Sequence, residues 1–196
     1  DNKEMVELLD QTIDQDQQLS NETLLQSFNG DLKTFADKFQ FRNTTKAQPM
    51  AIADIAAQVD ACAKSFVAIG LDKGNKVGVY DATTSEWLVL YGAANKLGIE
   101  LVHIGREYSS EETMLHLNKS KCRVLFASAN AQIYLKDLVS KFTEGKVVGL
   151  FTEFVVLLDA DKSAGLNNVI SYDAFKNLAK YTSDWELNKL KKFANQ

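Results

Sequence analysis

Residues 76–104 read KVGVYDATTSEWLVLYGAANKLGIELVHI. Five apolar-rich residues, Lys76–Tyr80, are short enough for a buried strand. An amphipathic stretch from Ser85 to Leu97 follows, and a second apolar run, Ile99–Ile104, closes the unit. Thr83 and Glu86 stand at capping-box spacing, which starts a helix by satisfying free N–H groups at its first turn. Gly98 sits where a left-handed cap ends one. The stretch is therefore strand, capped helix, strand, which is half of a nucleotide-binding architecture. Its turn, Asp81-Ala82-Thr83-Thr84-Ser85, has no glycine with which to cradle a phosphate.

The same alternation continues in both directions. Upstream, Ile52, Ile55, Ala56, Val59, Cys62, Ala63 and Phe66 share one face of a helix expected over 51–69. Gly70 and Leu71 follow as its left-handed cap and returning contact, and Asp72–Asn75 form a turn. Downstream, a helix over 110–118 starts at the second capping pair, Ser109 and Glu112. A strand over 122–127, a helix over 129–142, a strand over 154–158 and a helix over 172–181 come next. Residues 183–194 form a last helix, with Trp185 and Leu187 expected as its apolar contacts. Short apolar strands separated by amphipathic helices specify an α/β fold, an open parallel sheet with helices on both faces.

Three segments divide the chain: an acidic N-terminal arm (1–20), the α/β domain (21–182) and the C-terminal helix (183–196). The arm carries Asp1, Glu4, Glu7, Asp10, Asp14 and Asp16 against one lysine. Its Met5, Leu8, Leu9 and Ile13 also suit a short amphipathic helix. Residues 21–39 have helical spacing that Gly30 divides in two, and Pro49 precedes the long helix.

The composition of the 196 residues, 45% hydrophobic and 24% charged with net charge −4, is that of an ordinary globular chain. Arginine occurs only at 42, 106 and 123 and the lysines are scattered, so a nucleic-acid partner is not expected. The run Lys189–Lys192 reads as the solvated end of a helix. No apolar run reaches the roughly 18 residues of a membrane span. Cys62 and Cys122 lie on apolar faces, which fits a reducing compartment and no disulfide framework. The sequence opens on Asp1 rather than Met, so a targeting signal cannot be judged from it.

Ligands in an open parallel sheet bind beyond the C-terminal ends of the strands. The candidate positions are Asp81–Ser85, Gly105–Ser110 and Ser128–Asn130. Their hydroxyls could face an anion at a helix N-terminus, but ordinary capping accounts for them. A Walker-type loop fails at its nearest match, Gly145-Lys146, because Ser140 holds the upstream glycine position and Val147 follows the lysine. His103, His116 and Cys122 have no usual metal-ligand spacing. Glu111 and Glu112 are helix neighbours that do not share a face. The expectation is no catalytic, cofactor-binding or metal-binding residue, no cofactor, and no small-molecule ligand.

Several phrases carry a family resemblance. AIADIAAQVDACAKSFVAIGLDKGNKVGVYD, TTSEWLVLYGAANKLGIELVHI and YSSEETMLHLNKSKCRVLFAS follow in order, and then FVVLLD and VISYDAFKNLAK. Together they resemble the N-terminal portion of an adenylate-forming enzyme, closest to the long-chain acyl-CoA synthetases, over about residues 22–180. That resemblance implies a fold whose full-length members activate a carboxylate with ATP and pass the acyl group to coenzyme A. It also implies that the reacting residues lie downstream: a Ser/Thr/Gly-rich loop ending in Pro-Lys-Gly, a Tyr-Gly-x-Thr-Glu segment, a ribose-holding Asp and a Lys in a mobile C-terminal domain. None of these motifs occurs in the 196 residues, and HIGREYS replaces the family's proline-rich phrase. The expectation is a non-catalytic, synthetase-like accessory subunit. Its alternative is one part of a split or trimmed fatty-acid–CoA ligase. Other protein subunits would cover the face left open, with the acidic arm and the Trp185 helix as candidate seals within the chain. The expected location is intracellular, in a mitochondrial assembly.

Overall fold

A computed structural model describes residues 52–159 and 165–196. The acidic arm, the helical spacing of residues 21–39 and Pro49 lie outside the described residues. Helix α1 (Ile52–Ala68) ends as its sequence predicts. Gly70 has φ +85, and the Leu71 N–H reaches back to the Phe66 carbonyl at 3.0 Å. Leu71 is thereby drawn into the core.

Strand β1 (Lys76–Tyr80) leads to α2 (Thr84–Leu97), with the capping box of Thr83 and Glu86 formed in both directions and Gly98 left-handed at its end. Strand β2 (Glu100–Ile104), α3 (Ser110–Ser120) and β3 (Cys122–Ala127) follow.

The single helix expected over 129–142 is instead two pieces, α4 (Ala131–Tyr134) and α5 (Lys136–Thr143), interrupted at Leu135. It starts two residues late, after i→i+3 turns in which the Ala131 and Gln132 N–H groups donate to the Ser128 and Ala129 carbonyls at 3.0 Å; the Ala129 N–H donates to Asp159 and the Asn130 side-chain amide to Asp81. After β4 (Phe154–Leu157) comes a hairpin of β5 (Gly165–Leu166) and β6 (Val169–Ser171). Asn167 in its turn adopts φ +54, a conformation asparagine tolerates.

Helix α6 (Tyr172–Asn177) passes into a 3-10 turn (Leu178–Tyr181), where one continuous helix was expected. Helix α7 (Asp184–Ala194) is capped by Ser183. Trp185 is not an apolar contact as expected; it is 72% exposed, while Leu187 is buried. At 100° per residue, two positions apart point to nearly opposite sides of a helix, so both cannot face the core.

The strands form one sheet in the order β2-β1-β3-β4-β6-β5, parallel except for β5. One face packs on α1, α2 and α6 through Phe66, Trp87, Leu88, Phe126 and Phe175. Phe66, Phe126 and Phe175 meet there with ring centroids 5.0–5.7 Å apart. The other face packs on α3 and α5 through Leu117, Leu125, Leu138 and Phe142. Gly78 in β1 makes the second packing possible, because a Cβ there would lie 2.8 Å from Leu117 Cδ2 and 3.2 Å from Leu125 Cδ1.

Candidate functional site

The connection leaving β1 runs outward to β2, while that leaving β3 runs the other way to β4. The loops diverge between β1 and β3, the topological switch point where doubly wound sheets hold their ligands. Asp81, the first residue after β1, stands there. It is 6% exposed and has φ +53, a left-handed conformation that Asp adopts more readily than most residues.

Its carboxylate is occupied from three sides. Arg106 Nε lies 2.9 Å from Oδ1, and Oδ2 accepts from Ser128 Oγ at 2.6 Å and from Asn130 Nδ2 at 2.8 Å. Ser128 is fully buried, and its N–H also donates to the Tyr80 carbonyl at 3.1 Å. A second carboxylate, Asp159 after β4, accepts the Ala129 N–H. The switch point is thus bridged by the chain's own groups, and Asp81 ties the loops after β1, β2 and β3 together.

Thr83, Ser109 and Ser110 in the candidate loops already accept backbone N–H groups of this chain. Thr83 Oγ1 accepts the Glu86 N–H at 3.2 Å, and the Thr83 N–H donates to Glu86 Oε1 at 2.8 Å. Ser109 Oγ accepts the Glu112 N–H at 3.1 Å. Ser110 Oγ accepts the Leu138 N–H at 3.4 Å. Gly145 and Lys146 lie at the C-terminal end of α5, where carbonyls rather than N–H groups are free, and Lys146 pairs with Glu144 at 2.6 Å. A phosphate loop requires the opposite polarity.

His103 is half-buried on β2, and burial lowers its pKa below the usual histidine range. The His116 ring on α3 lies 5.8 Å from the Tyr108 ring. Among the described residues no three His, Cys, Asp or Glu are grouped to hold a metal ion. Cys62 and Cys122 are both buried and unbridged. Burial pushes the Cys62 thiol up and that of Cys122 to about 12. Glu111 and Glu112 are exposed in the first turn of α3.

Asp81, Arg106, Ser128 and Asn130 all fall within the three loops that the parallel fold singles out. Their convergence on one carboxylate is the feature sequence reasoning missed. The available signal was an acid directly after a strand, where the chain must turn with positive φ.

A family profile described as AMP-binding enzyme matches residues 31–181. Among curated proteins, the mitochondrial medium-chain acyl-CoA ligase ACSF2 of Mus musculus is 26% identical over 108 residues, 55% of this chain and 18% of that protein. The long-chain-fatty-acid–CoA ligase FadD15 of Mycobacterium bovis is 32% identical over 79 residues, 40% of this chain and 13% of the relative. The chain spans between 12% and 24% of the length of the curated relatives it matches.

Among solved structures, coronafacic acid ligase from Pectobacterium brasiliense superposes with a TM-score of 0.60 at 13% identity, over 83% of this chain and 30% of the ligase. The red-emitting luciferase of Phrixothrix hirtus superposes with a TM-score of 0.56 at 20% identity, over 82% of this chain and 35% of the luciferase. At these identities the likeness establishes the α/β fold alone. Among the described residues no helix is long and apolar enough to cross a membrane.

Proposed function

The chain belongs to the AMP-binding enzyme family, and we propose that within an acyl-CoA-synthetase-like assembly this α/β unit supplies scaffold and contact surface rather than reacting groups. The observation that carries this reading is the Asp81 hub. The polar groups best placed to meet a ligand at the switch point, on Arg106, Ser128 and Asn130, are engaged by a carboxylate of the same chain. Transition-state stabilisation requires charges left available for the reacting group, and here Ser128, the Asn130 amide and the Nε of Arg106 already serve Asp81. Other protein subunits, or further chain, cover its remaining faces.

A second reading is one part of a fatty-acid–CoA ligase whose chemistry lies in the remainder of the polypeptide or in a partner. The short span on the curated relatives favours it, since most of each ligase has no counterpart here. The word mitochondrial in the name of the ACSF2 relatives supports placing either assembly in that organelle.

ATP–pyrophosphate exchange with fatty acids, run on this chain alone, is the test. No exchange and no thermal shift with ATP or acyl-CoA is the expected result, and exchange above the protein-free blank sinks the scaffold reading. Intact mass and subunit identification from the native source then separate the two assemblies. A partner carrying the Ser/Thr/Gly-rich Pro-Lys-Gly loop that restores exchange selects the ligase.

A further inference from the structure

Helix α7 follows residues 31–181, the stretch that the family profile matches, so that match says nothing of it. It lies across α1 and α2 with little apolar hold. Leu187 is its one buried residue and Leu190 is partly buried, both joined to the cluster that α1 and α2 form. Trp185 and Phe193 are exposed. The end of α7 lies over the end of α2, where a Cβ on Gly98 would come within 3.5 Å of Ala194 Cβ. By contrast α1 buries Val59, Cys62, Ala63 and Phe66.

Charged groups supply the rest of the attachment. Asp184 pairs with Lys64, and Lys191 Nζ lies 3.1 Å from Asp60 Oδ1, an oxygen that also takes Lys96 of α2 at 3.2 Å. Asp60 therefore joins all three helices. Its side chain is 51% exposed and that of Asp184 is 86% exposed, so salt screens both pairs. The connection into α7 is fixed more firmly. Thr182, just before the Ser183 cap, is buried, and its hydroxyl donates to the Lys64 carbonyl at 2.8 Å.

We propose that α7 is a strap that swings off α1 and α2 as one unit, hinged at Thr182 and latched by Asp60 and Lys64, while the sheet stays folded. Its 11 residues are too few for a stable helix in water, so α7 keeps its shape only while docked. An element with few buried apolar contacts and exposed ties sits at the low end of local stability and opens below the free energy of global unfolding. Ionic strength then sets how often Leu187 and the surface beneath it are bared. This inference goes beyond the scaffold reading and does not depend on it, since it uses neither the switch point nor any family member's chemistry.

Hydrogen exchange of the whole chain, read by mass spectrometry on peptides covering α7 and β3, tests the strap. Rates are taken relative to those of the unfolded chain at the same salt. At low salt α7 should exchange well ahead of β3, yet slower than the unfolded chain. Molar sodium chloride should speed α7 by about two- to fivefold for each screened pair, the range of exposed ion pairs, and leave β3 unchanged. Asp60→Asn with Lys64→Gln should speed α7 by a similar factor at low salt and remove its salt response. Leu187→Ala should speed it about 30-fold or more, up to the unfolded rate. Protection of β3 in the same samples shows that each variant is folded. Exchange of α7 in step with β3 overturns the proposal, because α7 then opens only when the whole domain unfolds. Exchange of α7 at the unfolded rate in the parent overturns it too, as does a salt response that is absent from the parent or survives the double substitution.

Discussion

Replacing Asp81 by Asn tests whether its carboxylate is what holds the loops of the switch point. Asn keeps the size of the side chain and tolerates φ +53, so backbone strain stays nearly constant. Only the charge and one acceptor are removed. In the parent, Oδ2 takes two donors, from Ser128 at 2.6 Å and Asn130 at 2.8 Å, and Oδ1 faces Arg106 at 2.9 Å. With Asn, one side of this arrangement places an NH2 group against donors.

A hydrogen bond to a charged group contributes about 1.5–3 kcal/mol. The Arg106 side chain is 40% exposed, so its share is screened and amounts to at most about 1 kcal/mol. The Ser128 bond is fully buried and keeps its value. Because the bonds share one carboxylate they are not additive, and the expected loss is about 2–4 kcal/mol. Urea unfolding followed by circular dichroism should show a lower midpoint with an unchanged slope.

Ser128→Ala and the double variant complete a thermodynamic cycle, with an expected coupling of about 1–2 kcal/mol. Arg106→Gln should cost no more than about 1 kcal/mol. A loss below about 0.5 kcal/mol for Asp81→Asn, or a coupling near zero, refutes the view that this carboxylate organises the three loops.

Gly78→Val should destabilise by about 2–3 kcal/mol through overpacking against Leu117 and Leu125, read from the same urea midpoint; an unchanged midpoint would mean that α3 lifts from the sheet without resistance. His103 carries a lowered pKa from burial, so below its ordinary value of 6.5 the unfolded chain takes up the proton first. Stability is therefore expected to fall as pH drops from neutrality through 6.5 towards the lowered native value, and His103→Gln should flatten that part of the profile; identical profiles would remove the residue from the acid response. Cys62 and Cys122, buried with raised thiol pKa values, should resist a disulfide-exchange reagent at pH 8 in the native protein and both react in denaturant. Rapid native labelling would contradict their burial.

The caps of several helices were legible in the sequence, because capping is local. Thr83 with Glu86, Ser109 with Glu112, and the glycines at 70 and 98 act across one turn of chain, so the residues that satisfy each backbone group lie next to it in sequence. Apolar strands alternating with amphipathic helices likewise announced a parallel sheet, since only burial on both faces suits such strands. The hub escaped this kind of reading: Asp81 meets Ser128 and Asn130 across 47 and 49 residues, and no local pattern encodes a bond at that distance. The start of α4 at Ala131 escaped it too, since residues 128–130 make i→i+3 turns beside the same cluster before the helix begins. For Trp185 and Leu187, composition suggested two core contacts, but a helix docked by one face had to choose. Packing against α1 and α2 placed Leu187 inside and left Trp185 in water.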